Sequence, residues 1–167
     1  MTAQTIPAGG LLQITARAKP GAAPSATLTL PFELRRRSRL RAALDDGREA
    51  ALFLPRGQYL RHGDRLLAED GTVVQIRAAD ELCSVARTDD AWLFARACYH
   101  LGNRHVPLQV GEGWLRYLHD HVLDEMVSAL GLEIAEEKSP FEPEAGAYPA
   151  GAHAHGADLV QGTAHVH

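Results

Sequence analysis

Near residue 79 the spacing of apolar residues changes, and this change constrains the fold more than any other feature of the chain. Before it, apolar residues alternate over short runs. Ala26-Thr27-Leu28-Thr29-Leu30 puts its apolar side chains on one face of a strand. Thr72-Val73-Val74-Gln75-Ile76 is rich in β-branched residues and equally strand-like. Asp45-Asp46-Gly47, Gly63-Asp64 and Asp70-Gly71 are turn signals between such runs. No helical period is visible, so residues 1–78 are expected to form a small all-β domain.

After residue 79 a helical period emerges. Glu81 to Arg87 reads as a strand. Asp90 to Leu101 reads as a helix, with Trp92, Ala95, Cys98 and Tyr99 near helical spacing and Gly102 placed to stop it. Val106 to Val110 is short and extended, Gly111 to Gly113 offers a turn, and Trp114 to Leu118 is a further strand. Asp120 is suited to cap a second helix, whose apolar face holds Val122, Leu123, Met126 and Leu130. Leu132-Glu133-Ile134 begins a last strand. The order β-α-β-β-α-β is that of a ferredoxin-like domain, expected over residues 79–147. From Ser139 onward Pro140, Pro143, Pro149 and several Gly and Ala leave little to bury, which predicts an extended, mobile tail. The last division, residues 148–167, contains histidines. The fold class expected is therefore α+β, and 167 residues suffice for two small domains.

Charge divides at the same place. Residues 1–78 carry 12 Lys+Arg against 7 Asp+Glu, and residues 79–167 carry 5 against 14, giving balances of +5 and −9 within a net charge of −4. The acidic half suits a cation better than a nucleic acid. The basic run Arg35 to Arg41 reads either as a solvated edge strand or as a docking surface for an acidic protein. It lacks the interleaved aromatics of a nucleic-acid surface. Met1 to Gly10 has no basic stretch followed by an apolar run, so no signal peptide is expected. No apolar stretch approaches the length needed to span a membrane. The two cysteines, Cys83 and Cys98, lack metal-binding spacing and read as small buried residues of a cytoplasmic protein.

Histidine is unevenly placed. Of nine histidines, eight lie at or beyond position 100. Imidazole suits nickel, copper and zinc, whereas Ca²⁺ and Mg²⁺ prefer oxygen. His153 and His155, then His165 and His167, form two H-x-H pairs that an extended chain points the same way. His119 and His121 flank Asp120; they diverge within a helix but can converge at a strand-to-helix junction. They read equally well as metal ligands or as surface residues. His105 alone is a poor ligand set, but two copies about a twofold axis would supply two imidazoles to one ion. His100 and His62 read as packing or surface residues. Intrinsic affinity ranks Cu²⁺ above Ni²⁺ and Zn²⁺, so residue chemistry does not select the metal.

Several stretches resemble a known family. Ala97-Cys98-Tyr99-His100-Leu101-Gly102-Asn103-Arg104-His105-Val106-Pro107-Leu108-Gln109 is similar to the signature of the UreE urease accessory proteins. Leu115-Arg116-Tyr117-Leu118-His119-Asp120-His121-Val122-Leu123-Asp124 and Pro140 to Tyr148 resemble the same family, as do Leu40 to Gly47 and Leu54-Pro55-Arg56-Gly57. The resemblance implies an N-terminal peptide-binding-like β domain, a C-terminal ferredoxin-like metal-binding domain and a homodimer. It implies that His105 lies at the dimer interface and shares nickel between subunits. It further implies that His119 and His121 can hold metal at peripheral sites, with the tail histidines adding ligands. The implied function is a nickel metallochaperone delivering Ni²⁺ to apo-urease together with other accessory proteins, including the GTP-binding one. Zn²⁺ or Cu²⁺ can compete for the same ligands. Two departures are visible: the tail histidines are spaced rather than consecutive, and Leu118 stands where some members have another histidine.

Two other functions fit the histidines less well. A general Zn/Cu/Ni buffer needs the same ligands without urease. A His-ligated metal hydrolase needs three ligands, an open position and a nearby base. No H-E-x-x-H occurs, and no Ser-His-Asp set can be placed. The chain is therefore expected not to be an enzyme, with no membrane or nucleic-acid partner.

Overall fold

Alternating apolar residues in the first half form strands whose inner faces share one core. The computed structural model describes residues 10–57 and 59–145. His153, His155, His165 and His167, the expected tail and nearly all of Met1 to Gly10 lie outside the described residues. The N-terminal strands are β1 (Leu12–Arg17), β2 (Ala26–Leu30), β3 (Arg39–Ala43), β4 (Glu49–Phe53), β5 (Arg65–Ala68) and β6 (Val73–Ala78). They form one six-stranded sheet in the order β2-β6-β5-β1-β4-β3. Ile14, Leu28, Leu52, Leu66, Val74 and Ile76 are buried in its core. Burying each such aliphatic side chain contributes roughly 1.5–3 kcal/mol.

The sheet bends until its two edge strands meet. Asp45, in the β3–β4 turn, makes the seam to β2. Its amide donates to the Thr27 carbonyl at 2.9 Å, and its Oδ1 accepts from the Thr29 amide at 3.0 Å. Its Oδ2 accepts from the Thr27 and Thr29 hydroxyls at 2.6 and 2.8 Å. Burial alone would push this carboxyl up. The hydrogen bonds from Thr27 and Thr29, with Arg77 nearby, outweigh it and hold the group below the usual carboxylate range. A depressed carboxyl stabilises the fold fully above its unfolded pKa, and that contribution disappears as pH falls through the folded value. Asp45→Ala is expected to lower stability by about 1 kcal/mol at neutral pH and by less near pH 2. Urea unfolding at the two pH values checks this.

One short helix departs from the expected all-β character. Pro31 ends β2 and leads into α1 (Phe32–Arg35). Arg35 therefore leaves the basic run and enters the interior, where it is fully buried. The rest of the run is on the surface: Arg36 pairs with Glu33, and Arg41 on edge strand β3 pairs with Glu49.

The second half contains β7 (Asp80–Arg87), α2 (Ala91–Asn103), β8 (Gln109–Gly111), β9 (Trp114–Leu118), α3 (His121–Ala129) and β10 (Glu133–Pro140). Its four strands are ordered β10-β7-β9-β8, and all neighbours are antiparallel. Each helix begins at an aspartate. Asp90 accepts from the Trp92 and Leu93 amides, and Asp120 from those of Val122 and Leu123. Such caps satisfy donors that a helix start leaves free.

The two faces of this sheet do different work. Ala86, Leu115 and Tyr117 pack under α2 and α3 against Leu101 and Val127. Cys83 and Leu118, on the opposite face, pack against Phe32 and Tyr59 of the N-terminal domain and against Phe141.

The stretch from Ser139 was expected to lose its core, but within the described residues it does not. Phe141 is fully buried and Pro143 is buried. Phe141 meets the Phe32 ring edge-on at 5.3 Å, an arrangement aromatic pairs favour. Prolines suggested exposure, yet this segment is a strap joining the two domains.

Candidate metal centre

Two places in the C-terminal domain carry imidazoles in unusual settings. The first is the end of α2. The Val106 amide donates to the Leu101 carbonyl at 3.2 Å, and the His105 amide to that of Gly102 at 2.9 Å. This pair of bonds is a Schellman C-cap, which places one residue in the left-handed region, usually glycine. Here that residue is His105, with φ of 57°. Among the described residues it is the one non-glycine with positive φ. The imidazole is thus held at a helix end on an exposed turn, at a backbone cost a glycine would not incur.

The second place is the β9–α3 junction. His119 follows the last residue of β9, Asp120 caps α3 in extended geometry, and His121 is the first helical residue. The junction separates the two histidines. His121 is exposed on the first turn. His119 turns inward over the sheet and meets Asp124 and Glu136, with donor atoms of all three within 4.8 Å of one another. His119 Nδ1 lies 3.1 Å from Asp124 Oδ2, and Nε2 lies 4.0 Å from Glu136 Oε1. Asp124 Oδ1 accepts from the Tyr117 hydroxyl at 2.7 Å. Burial, then the Asp124 hydrogen bond and charge, push the Tyr117 phenol well up, so it remains a donor. Ser84 Oγ is 3.1 Å from His119 Nδ1.

The other predicted groups are placed elsewhere. His62 is exposed, and its Nδ1 accepts from the Ala78 amide at 3.3 Å. His100 lies on α2 with its ring edge-on to Tyr99. Both cysteines are free thiols, and burial pushes each of them up, which disfavours the thiolate a metal would need.

Comparison with known proteins decides the family. The model of the N-terminal domain of UreE urease accessory protein matches residues 10–79, and that of its C-terminal domain matches residues 72–167. A urease accessory protein UreE of Alkalilimnicola ehrlichii is 60% identical over 138 residues, covering 83% of this chain and 85% of its own. One from Citrobacter koseri is 56% identical over 146 residues, covering 87% and 96%. One from Escherichia coli O157:H7 is 50% identical over 149 residues, covering 89% and 97%. This chain belongs to the UreE urease accessory protein family. It is an accessory chaperone and not an enzyme.

In this UreE chain the sequence signals pointed to His105, His119 and His121 but not to Glu136. Asp124 entered only as the last residue of the Leu115 to Asp124 stretch that resembles the family. Their proximity depends on strand register. Ser84 of β7 lies opposite Tyr117 of β9 and opposite Glu136 of β10. Cross-strand partners project from one face, and no local spacing reports which residues become partners.

Proposed function

We propose that this protein is a homodimeric nickel metallochaperone that delivers Ni²⁺ to apo-urease during maturation of the urease active site. Family membership supports the role. The observation that carries the metal chemistry is His105, a histidine kept in a backbone conformation that favours glycine. A strained residue persists where the surroundings hold it, and such residues cluster at functional sites.

A second copy of the chain is the proposed source of the partner imidazole. Trp92 and Tyr99 are 72% and 65% exposed on α2. They are two turns apart and so share one face of the helix that leads to His105. Large exposed aromatics are enriched at protein interfaces. A twofold contact along this face would bring two His105 side chains to one ion, with His119, His121, His153, His155, His165 and His167 as further ligands.

The finer assignments belong to the same proposal. The strand order β10-β7-β9-β8 supports a ferredoxin-like C-terminal domain. The passage from β6 to β7 supports the boundary at residues 78 and 79. The N-terminal domain is assigned as peptide-binding-like, facing urease and the other accessory proteins, including the GTP-binding one. Two free thiols fit a reducing cytoplasm, and no helix among the described residues is long and apolar enough to cross a membrane.

Gel filtration with light scattering and nickel analysis tests the proposal. The expected result is a dimer that retains nickel at neutral pH and releases it as pH falls, because imidazole must be unprotonated to bind. A monomer in the presence of nickel, or one that retains none, would overturn it. Competition with Zn²⁺ and Cu²⁺ in the same experiment separates a nickel carrier from a general metal buffer.

A further inference from the structure

The loop that follows α2 is held from both sides, and one of the holders is tied to the N-terminal domain. His105 to Leu108 belong to no helix or strand. At one end the cap of α2 fixes the His105 and Val106 amides. At the other, the Glu144 amide donates to the Leu108 carbonyl at 2.7 Å, and the Glu142 amide donates to Gln109 Oε1 at 3.1 Å. Both donors belong to the strap. His105 itself is exposed, so the direction of its imidazole follows the backbone more than packing.

The strap in turn is held by a loop of the N-terminal domain. Arg61 Nη1 donates to the Pro143 carbonyl at 2.6 Å, and Nη2 to the Tyr59 hydroxyl oxygen at 2.6 Å. The same guanidinium lies 4.5 Å from the centre of the Tyr59 ring and 3.6 Å from the Glu142 carboxylate. The Tyr59 hydroxyl is 3.1 Å from the Glu144 carbonyl and 3.3 Å from that of Pro143. It has one proton to donate. Pro143 already accepts from Arg61, so that proton goes to Glu144. Glu144 therefore uses its carbonyl on one domain and its amide on the other. Two hydrogen bonds and three residues of chain separate Tyr59 from His105.

We propose that Tyr59 and Arg61 are positioning residues for the metal turn: through Glu144 and Leu108 they hold the backbone that carries His105. This deepens the carrier function proposed above and rests on it for the metal at His105. A metal site on a loose turn must order that turn on binding, and ordering backbone costs free energy. A turn held in place beforehand avoids that cost and binds more tightly. Arg35, the other arginine on the strap, is fully buried. The Arg61 side chain is 32% exposed and open to contact by another protein. A protein that docks on this loop and draws Arg61 from Pro143 loosens the turn in the other domain, a route from partner contact to metal release.

Two full-length variants test this. Tyr59→Phe removes the hydroxyl and keeps the ring against Phe32. Arg61→Met keeps the apolar stem and removes the donors. In each, amide exchange followed by NMR in the metal-free protein should be roughly fivefold faster at His105, Val106 and Glu144, because amides on an exposed turn exchange by local opening. Calorimetric titration should show nickel weakened by roughly fivefold at the site that His105→Ala loses, the low end of couplings between sites. Asp45→Ala, which destabilises the same domain at the β2 seam, should leave both readouts at wild-type values. A merely structural role for Tyr59 and Arg61 would instead make all three variants alike. Wild-type exchange at the turn, or wild-type nickel affinity, in both strap variants would overturn the proposal, as would equal weakening in Asp45→Ala. Should one strap variant fail to fold, the other decides. A wild-type protein with no nickel site at His105 would sink the carrier function instead, and the exchange rates would still judge whether the two residues hold the turn.

Discussion

Arg35→Ala is expected to lower the free energy of unfolding by about 3–5 kcal/mol, the range for breaking a buried ion pair from one side. Arg35 is fully buried at the end of α1, and each arm of its guanidinium has a partner. Nε donates to the Leu30 carbonyl and Nη1 to that of Leu60, both at 3.2 Å. Nη1 also pairs with the Glu142 carboxylate, and Nη2 donates to the Phe141 carbonyl. Alanine would leave these carbonyls without that donor. It would leave Glu142 to Arg61 at 3.6 Å and to the His62 amide at 3.3 Å. It would also remove the cation lying 5.6 Å from the centre of the Phe32 ring, against which Phe141 packs. The loss thus falls on the strap between the domains, and guanidinium unfolding should show the two domains melting less cooperatively.

Neighbouring Arg36 provides the control. Its side chain is 52% exposed; among the described residues its one ion pair is with Glu33, one turn away, and its guanidinium lies 5.5 Å from the centre of the Phe32 ring. Arg36→Ala is expected to cost at most about 0.5 kcal/mol. Similar small losses in both variants would contradict the interior role of Arg35. Arg35→Lys is expected to recover only part of the stability, because one ammonium cannot reproduce the planar fork of donors that meets four acceptors.

The same residue shows where sequence patterns stop being informative. Seven residues with five arginines read as a surface, and for most of them that is correct: Arg39 and Arg41 are exposed on an edge strand. What makes Arg35 different is Glu142, more than a hundred residues away in sequence. Phe141 shows the converse. Flanked by Pro140 and Pro143, it looked like part of a coreless tail, and the Phe32 ring that buries it belongs to the other domain. Local signals fared better where the cause is local. Asp120 caps α3, Asp45-Asp46-Gly47 turns β3 into β4, and Leu28 and Leu30 point inward as their alternation requires. The candidate site divides along the same line. His119 was visible from its spacing, whereas Asp124 and Glu136 reach it through a helix and a strand whose placement depends on the folded sheet.

His105→Gly is expected to abolish the tightest nickel site while leaving the fold unharmed or more stable by about 1 kcal/mol. The two effects have opposite signs because the side chain and the backbone of this residue pull in opposite directions. The left-handed φ of 57° at the end of α2 costs free energy for any residue with a Cβ, and glycine removes that cost. The flanking bonds, from Val106 to Leu101 and from His105 to Gly102, are made by the backbone and survive the substitution. The imidazole itself is exposed, so little packing is lost with it. His105→Ala should lose the same nickel site but keep the strain, which makes the pair a test of both halves of the idea. Calorimetric titration with Ni²⁺, alongside thermal unfolding of the metal-free proteins, supplies the readouts. An unchanged first nickel site in either variant would remove His105 from the metal centre. A glycine variant markedly less stable than wild type would show that the histidine is held in this conformation for structural reasons, not for its ligand.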